Sequence, residues 1–549
     1  MMTAFCHASV FFGLLGSSMQ EGIFSFGVRH LRSFGPDQYM VPIKPINILV
    51  GKNSCGKSTF LRTFPLLRQS IQANTKSPIL WFGNLVDFGD FDTALHDGGS
   101  EISFDFNAVL KIIDDSVFWF DEEMEQEEFG NLYEAFISIS ISRAGADSLR
   151  TRLVIKVGNC TATLLYRGDD IDKFSVSNSV LDVVDIFPVK IISKMGALLP
   201  LGLRGLRDHK VKSADGQIYK RLIPTTVLPA EMNSRIAEFL TDFHHATKDK
   251  SRIKRAVENI EFSSGDALYA SLKNTFHRDR FFLKNLDAYR EEILEGVFSL
   301  QLAGNIEKFL EAADRLFKKF YSGVKYQGPL RAAGERFYRY QDLRVDEVDH
   351  TGGNLPMVIN SLDANQQRRL SIWILQNFGF ELELAASGLH YELRIREQGD
   401  AKFHNISDMG FGYSQILPVI VSIWLELLGG GRTSRFIAPK YKGPRIIVLE
   451  QPELHLHPAL QYKFGLAMAK VIRQARGVEI YFVIETHSKH LIDAVGESIR
   501  DSIIDESVVN IALFEKRENG MTNTQVSGFD DEGYLVNWPI GFLSPEYDN

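Results

Sequence analysis

The 549-residue sequence predicts an α/β protein with a mixed or parallel sheet and a helical insertion, and three observations carry that prediction. The run Ile46-Asn-Ile-Leu-Val50 leads directly into a glycine-rich loop and then into helical spacing. Two further apolar runs, Arg445–Leu449 and Ile480–Ile484, flank a helical stretch from Ala459 to about Ala475. Strand, helix and strand within about 40 residues make a parallel crossover. Between these regions, from about 230 to 320, apolar residues recur at i, i+3 and i+4 with charges opposite, as in Ile306-Phe309-Leu310-Ala313-Leu316-Phe317.

Composition sets the outer bounds. A prior of roughly 150 residues per domain suggests two to four structural units. Hydrophobic residues at 44% and charged residues at 24% match a soluble globular chain, and one this long needs no cross-links to hold a core. Lys and Arg number 61 against 69 Asp and Glu, a net charge of −8. That excludes a uniformly basic protein coating nucleic acid and leaves room only for a local basic groove. Three cysteines, Cys6, Cys55 and Cys160, exclude a disulfide framework or a Cys-based zinc site and point to the cytoplasm. The apolar run Ala8–Leu15 lacks a basic flank and is too short to span, so it reads as a lead-in, with Met19 an alternative start. Ile416–Leu428 carries Glu426 and falls short of the roughly 20 residues a membrane helix needs, so no membrane association is expected.

Taken in order, residues 1–21 form an N-terminal extension. Residues 22–195 form a first lobe, in which Ile102–Phe106, Ala135–Ser142 and Arg152–Val157 alternate as strands. The acidic cluster Asp121–Glu128 reads as a solvated loop. Residues 196–322 form a mainly helical insertion without the sustained heptads of a long coiled coil. Two basic stretches, Arg204–Arg221 and Lys248–Arg255, read as solvated surface or as a face for nucleic acid or a partner. Residues 323–549 form the C-terminal lobe, with no internal repeat or long linker separating it. The whole reads as one split domain with an insertion.

The loop Gly51-Lys-Asn53-Ser54-Cys55-Gly56-Lys57-Ser58-Thr59 is G-x-x-x-x-G-K-S in its required strand-to-helix context. Its glycines let backbone N–H groups from Asn53 to Thr59 converge on phosphate oxygens, and the new helix adds the positive end of its dipole. Lys57 is expected to bridge the β- and γ-phosphates of ATP and Ser58 to ligate Mg²⁺. Cys55 occupies a variable position and has no expected redox role. Leu61, Phe64 and Leu67 dock the following helix, which Pro65 is expected to kink or shorten.

The second half of the site lies 400 residues on. The strand Arg445–Leu449 ends in Glu450-Gln451-Pro452-Glu453, followed by Leu-His455-Leu-His457-Pro458. A carboxylate at the end of a buried strand beside a phosphate loop is placed to hold Mg²⁺, which assigns Glu450 to the metal. The second strand ends in Glu485-Thr-His487-Ser, so His487 is expected to reach the γ-phosphate or the attacking water. Upstream, Ser407-Asp408-Met-Gly410-Phe-Gly412-Tyr-Ser414-Gln415 opens an apolar helix and makes a second anion site. One nucleotide needs one phosphate loop, so this turn is expected to meet the γ-phosphate of a nucleotide held by another protomer. His455 and His457 resemble a metal pair, but no metal is expected there.

In this order the motifs resemble those of the ABC/SMC-like ATPases, and most closely the overcoming-lysogenization-defect-like branch, called AAA-type. The stretch Asn537-Trp538-Pro539-Ile-Gly541-Phe542 resembles the tail of a subgroup without a fused nuclease, similar to the PtuA-like ATPases of Septu anti-phage systems, some linked to retrons. The resemblance implies an ABC-type P-loop NTPase head, a homodimer or higher homo-oligomer closed around ATP, and an HNH nuclease partner. For retron-linked members it implies a reverse transcriptase with its RNA–DNA hybrid, which the basic stretches would contact in a salt-sensitive way. It also places His455 and His457 in a loop lining the dimer interface.

This sequence departs from the family at one chemical position. Relatives carry a catalytic glutamate after the metal-binding carboxylate, and here that residue is Gln451. A neutral amide accepts no proton, and losing a general base typically costs about 10²–10⁴ in rate. Gln451 retains the capacity to orient water, and Glu453 is the substitute acceptor. Tight binding with slow hydrolysis is therefore expected. About 60 residues follow His487, too few for a fused nuclease domain, and Asp530-Asp531-Glu532 reads as a turn. The alternative function is a DNA-repair or recombination ATPase that clamps DNA, against which the short insertion argues. A transporter ATPase fits the insertion and the Glu485-Thr-His487-Ser sequence poorly.

Overall fold

The computed structural model describes residues 20–73, 77–113, 130–145, 148–184, 189–191, 198–212, 218–225, 228–339, 343–388, 390–427, 443–475 and 477–539. The chain divides into two compact units. One comprises residues 1–27, 74–78 and 100–317, and the other residues 28–73, 79–99 and 318–549. The phosphate-loop strand thus belongs with the C-terminal strands, and residues 100–195 of the expected first lobe share a unit with most of the insertion. The expected solvated loop at 121–128, the apolar run at 8–15 and the tail from 540 lie outside the described residues.

The first unit rests on long antiparallel strands. Glu101–Ile113, Gly130–Arg143, Leu149–Val157, Cys160–Arg167 and Asp170–Ser177 pair in chain order. Alternating burial along Cys160–Arg167 shows one face turned to a core, which is what a period-2 pattern dictates. Val189–Ile191, Leu203–Lys212 and Ile218–Thr225 continue this sheet. The basic stretch at 204–221 therefore lies on a strand pair, and helices begin only at Leu228. Cross-strand pairing from Gly205↔Thr225 to Lys212↔Ile218 satisfies backbone groups without needing apolar alternation, so the sequence pattern concealed it. The helices run from Leu228–Thr241 to Ile306–Tyr321. Arg290–Gly304 is buried along most of its length, with Ser299 Oγ 3.2 Å from Cys160 Sγ. Around Lys248–Arg255, Asp249 caps the helix Lys250–Val257, and Lys250, Arg252, Lys254 and Arg255 are exposed.

The second unit is built on a seven-stranded sheet. Its strands lie in the order Val324–Gln327, Arg445–Glu450, Ile480–Glu485, Ile46–Gly51, Val509–Lys516, Thr522–Phe529 and Leu535–Val536. The first five are parallel and the last two pairings are antiparallel, so the sheet is mixed. Every residue of Ile46–Gly51 and Arg445–Glu450 is buried, as expected of parallel strands covered on both faces. The helix Lys57–Gln72 continues through Pro65 without shortening. Phe64, Leu66 and Leu67 are buried around the proline, and their packing outweighs the lost backbone hydrogen bond. Phe411–Leu427 is buried almost all round, and no helix among the described residues is long and apolar enough to cross a membrane. Cys55 and Cys160 are buried free thiols.

Candidate nucleotide site

The loop after Gly51 turns on two glycines. A side chain at Gly51 would meet the Phe514 carbonyl oxygen at 2.3 Å, and Gly56 sits at φ 99° with Thr522 Oγ1 2.7 Å from where a Cβ would stand. Close backbone approach at the first and left-handed geometry at the second exclude other residues. Thr522 Oγ1 donates to the Cys55 carbonyl at 3.0 Å and so ties the loop to the strand Thr522–Phe529. Asn53 and Ser54 are exposed, Ser54 at φ 60°, while Cys55 is buried with its thiol on the Lys52 carbonyl. The Lys57 side chain is 4% exposed, and its ammonium donates to the carbonyls of Gly51 and Lys52 at 2.9 and 2.7 Å. Ser58 and Thr59, half-buried, open the helix.

Strand order decides what faces Ser58. The Glu485 strand lies directly beside the loop strand, and the Glu450 strand one position further out. Glu450 and Glu485 are register partners on adjacent parallel strands. Ser58 Oγ donates to Glu485 Oε1 at 3.0 Å. Glu485 is 2% exposed, and its Oε2 is buried with no partner among the described residues. Burial first, and then the Glu450 charge, push its carboxyl up to about 7 against the pull of the Ser58 hydroxyl.

Glu450 has a different environment. Arg62, five residues after Lys57, grips it through Nε and Nη2 at 2.9 and 2.6 Å, and the Tyr326 hydroxyl donates at 2.8 Å. Burial works against the Arg62 charge, but the Glu450 carboxylate more than offsets it and holds the guanidinium pKa above its usual value. The expected metal carboxylate is therefore engaged by a bidentate arginine and a phenol, three donors in all. Glu485, Arg62 and Tyr326 had no expected role. Only Glu485, at a strand end and opening the Glu485-Thr-His487-Ser motif, offered a local signal.

Gln451 takes a left-handed backbone, φ 45°, and its N–H donates to the Glu485 carbonyl at 2.9 Å. Glu453 accepts from the His487 backbone N–H at 2.6 Å, and its other oxygen is buried without a partner among the described residues. Burial raises the Glu453 carboxyl, against the His487 N–H and the Arg331 charge. The His487 imidazole is exposed at the same edge. Partial burial and then the Lys57 ammonium hold it below the usual histidine range, so it favours the neutral form near pH 7.

The turn at 410–415 lies against this loop. A side chain at Gly412 would meet the His455 carbonyl at 2.8 Å, and Phe411 packs edge-on to the His455 ring at 5.0 Å. Ser414 is buried and donates to the Phe411 carbonyl at 2.8 Å. Gln415, 1% exposed, uses both ends of its amide on the backbone of Arg331, at 3.3 and 3.2 Å. The Ser414 side chain thus serves the turn itself and Gln415 ties it to Arg331, and Gly410 and Phe411 are exposed. His457 caps the helix Pro458–Gln474. Among the described residues no group of three or more His, Cys, Asp or Glu is placed to hold a metal ion by protein ligands alone. Mg²⁺ bound through phosphate oxygens needs only one or two, and Ser58 with a carboxylate fits that donor set.

The family described as "AAA domain, putative AbiEii toxin, Type IV TA system" matches residues 237–493. Solved structures similar to the chain include the Smc head domain with an extended coiled coil bound to the C-terminal domain of ScpA, from Pyrococcus furiosus. It shares 11% identity over 92% of this chain and 96% of that chain, with a TM-score of 0.32. The Smc head domain with a coiled coil and joint from Pyrococcus yayanosii shares 10% over 94% and 98%, with a TM-score of 0.33. No curated protein matches. The described sheet, with its loop strand and crossover, has the α/β fold of a P-loop NTPase head, with mixed sheets and helices.

Proposed function

We propose that this chain is an ATP-binding, slowly hydrolysing subunit of a larger complex, in which bound ATP acts as a clamp more than as a fuel. One observation carries the reading. A phosphate loop faces two carboxylate strand ends and a histidine, and a glutamine in left-handed backbone stands where a proton acceptor is expected. The backbone from Asn53 to Thr59 and the Lys57 ammonium hold the phosphates, and Ser58 supplies a ligand to Mg²⁺. Bound Mg²⁺ would neutralise phosphate charge. His487 beside Lys57 meets the γ-phosphate edge, and Gln451 orients water without accepting its proton. The backbone of the 410–415 turn completes the site of a second copy.

The complex is an anti-phage one, in which this subunit restrains a separate HNH-type nuclease in the cytoplasm. In a retron-linked setting a reverse transcriptase and its RNA–DNA hybrid join, and the exposed Lys250, Arg252, Lys254 and Arg255 contact the nucleic acid. The order of the motifs and the resemblance of the stretch Asn537–Phe542 support this assignment. The chain's own nucleotide chemistry is tested by titrating a fluorescent ATP analogue. Lys57→Ala should lose binding at least a hundredfold, and unchanged affinity would remove the nucleotide reading. Purification of the tagged protein from its native operon tests the assembly. A co-eluting nuclease supports it, and elution alone in low salt with ATP counts against it.

A further inference from the structure

The two glutamates at the strand ends differ in what they have left to give. Glu450 has three donors: Arg62 Nε and the Tyr326 hydroxyl on one oxygen, and Arg62 Nη2 on the other. A cation on the oxygen shared by Arg62 Nε and the Tyr326 hydroxyl would have to displace one of them, and a cation on the other oxygen would sit against the Arg62 guanidinium charge. Among the described residues Glu485 has one donor, the Ser58 hydroxyl, and its second oxygen is buried without a partner. The Ser58 hydroxyl is itself the ligand that a phosphate loop offers to a divalent cation. The Glu485 strand also lies next to the loop strand, one strand spacing closer than Glu450.

Resting on the nucleotide reading above, we infer that Glu485, and not Glu450, is the carboxylate that with Ser58 binds the divalent cation of the nucleotide. The Arg62–Glu450–Tyr326 cluster is then a positioning device. Arg62 lies one turn beyond Ser58 on the helix Lys57–Gln72, so its grip on Glu450 fixes that helix against the strand end and holds Ser58 beside Glu485. The same arrangement explains a glutamate immediately before Thr486-His487, where an apolar strand residue would otherwise end the run. A buried carboxylate with one partner is unfavourable unless a ligand supplies the rest.

The test is Mn²⁺ binding followed by electron paramagnetic resonance on the full chain, with and without ATP, beside metal-free ATP binding measured in EDTA. Wild type should bind Mn²⁺ in an ATP-dependent manner. Glu485→Gln should weaken that binding at least tenfold while keeping metal-free ATP affinity within about twofold. Glu450→Gln should lower the melting temperature yet hold Mn²⁺ within about threefold of wild type. Unchanged Mn²⁺ affinity in Glu485→Gln overturns the inference, whatever the fate of the Glu450 variant. Wild type that binds no ATP under any condition overturns the nucleotide reading instead. The metal-free measurement also reports whether Glu485→Gln has folded.

Discussion

Two strands of one sheet, side by side and in register, end in the same residue, and the two ends are solvated by the protein in opposite ways. At Glu450 the chain supplies an arginine and a tyrosine, so the carboxylate is a finished part of the fold. At Glu485 it supplies a single hydroxyl. Two carboxylates of similar burial, 3% and 2% exposed, thus differ in the donors that the chain brings to them. Burial alone does not assign a role to a charged residue. The number of donors around it does.

Breaking the finished end should have the largest effect. Glu450→Ala strips the acceptor from Arg62 and Tyr326, and losing one partner of a buried pair costs about 3 kcal/mol. Melting should drop by several degrees, and a drop under one degree would show that Arg62 finds another acceptor or water.

The unfinished end should respond in the opposite direction. A folded-state pKa near 7 lies above the ordinary carboxylate value, so the folded state holds the proton more tightly than the unfolded state. Stability from this group is therefore greatest below about pH 4.5 and falls as pH rises towards 7, by on the order of 3 kcal/mol at most. Glu485→Gln in the nucleotide-free protein should melt higher than wild type at pH 8, with the gain largely gone at pH 5. A melting difference independent of pH would break the contrast between the two ends.

Between them, Gln451→Glu places a proton acceptor after Glu450 and should raise ATP turnover about tenfold or more. Unchanged turnover would end the missing-base argument. Gln451→Gly has the smallest expected effect. Relief of the left-handed backbone at φ 45° should stabilise by at most about 1 kcal/mol, seen as a rise in melting temperature of no more than about 2 °C.

Much of this was legible in local sequence. The apolar run before Gly51, the G-x-x-x-x-G-K-S spacing and the crossover from Arg445 to Ile484 each define a strand, loop or helix through contacts a few residues apart. The loop, Lys57, Ser58 and the strand ends were therefore readable, as were Glu453 and His487 on one edge. Other features left no local signal. Arg62 reads as an ordinary polar position on an amphipathic helix, and its partner is 388 residues away. Tyr326 lies 124 residues from the same carboxylate. Gln415 reads as part of an anion-binding turn, yet its amide is used on the Arg331 backbone 84 residues back. The strand pair at 203–225 is polar enough to hide its period-2 pattern.

The amino-acid sequence by itself determined the α/β class, the phosphate loop and the absence of a glutamate after Glu450, because backbone propensity, glycine freedom and side-chain chemistry are local properties. Only the tertiary structure decided which carboxylate faces Ser58. That choice depends on the lateral order of strands distant in the chain, with Ile480–Glu485 placed between the loop strand and Arg445–Glu450, and on which donors the surrounding elements bring to each end.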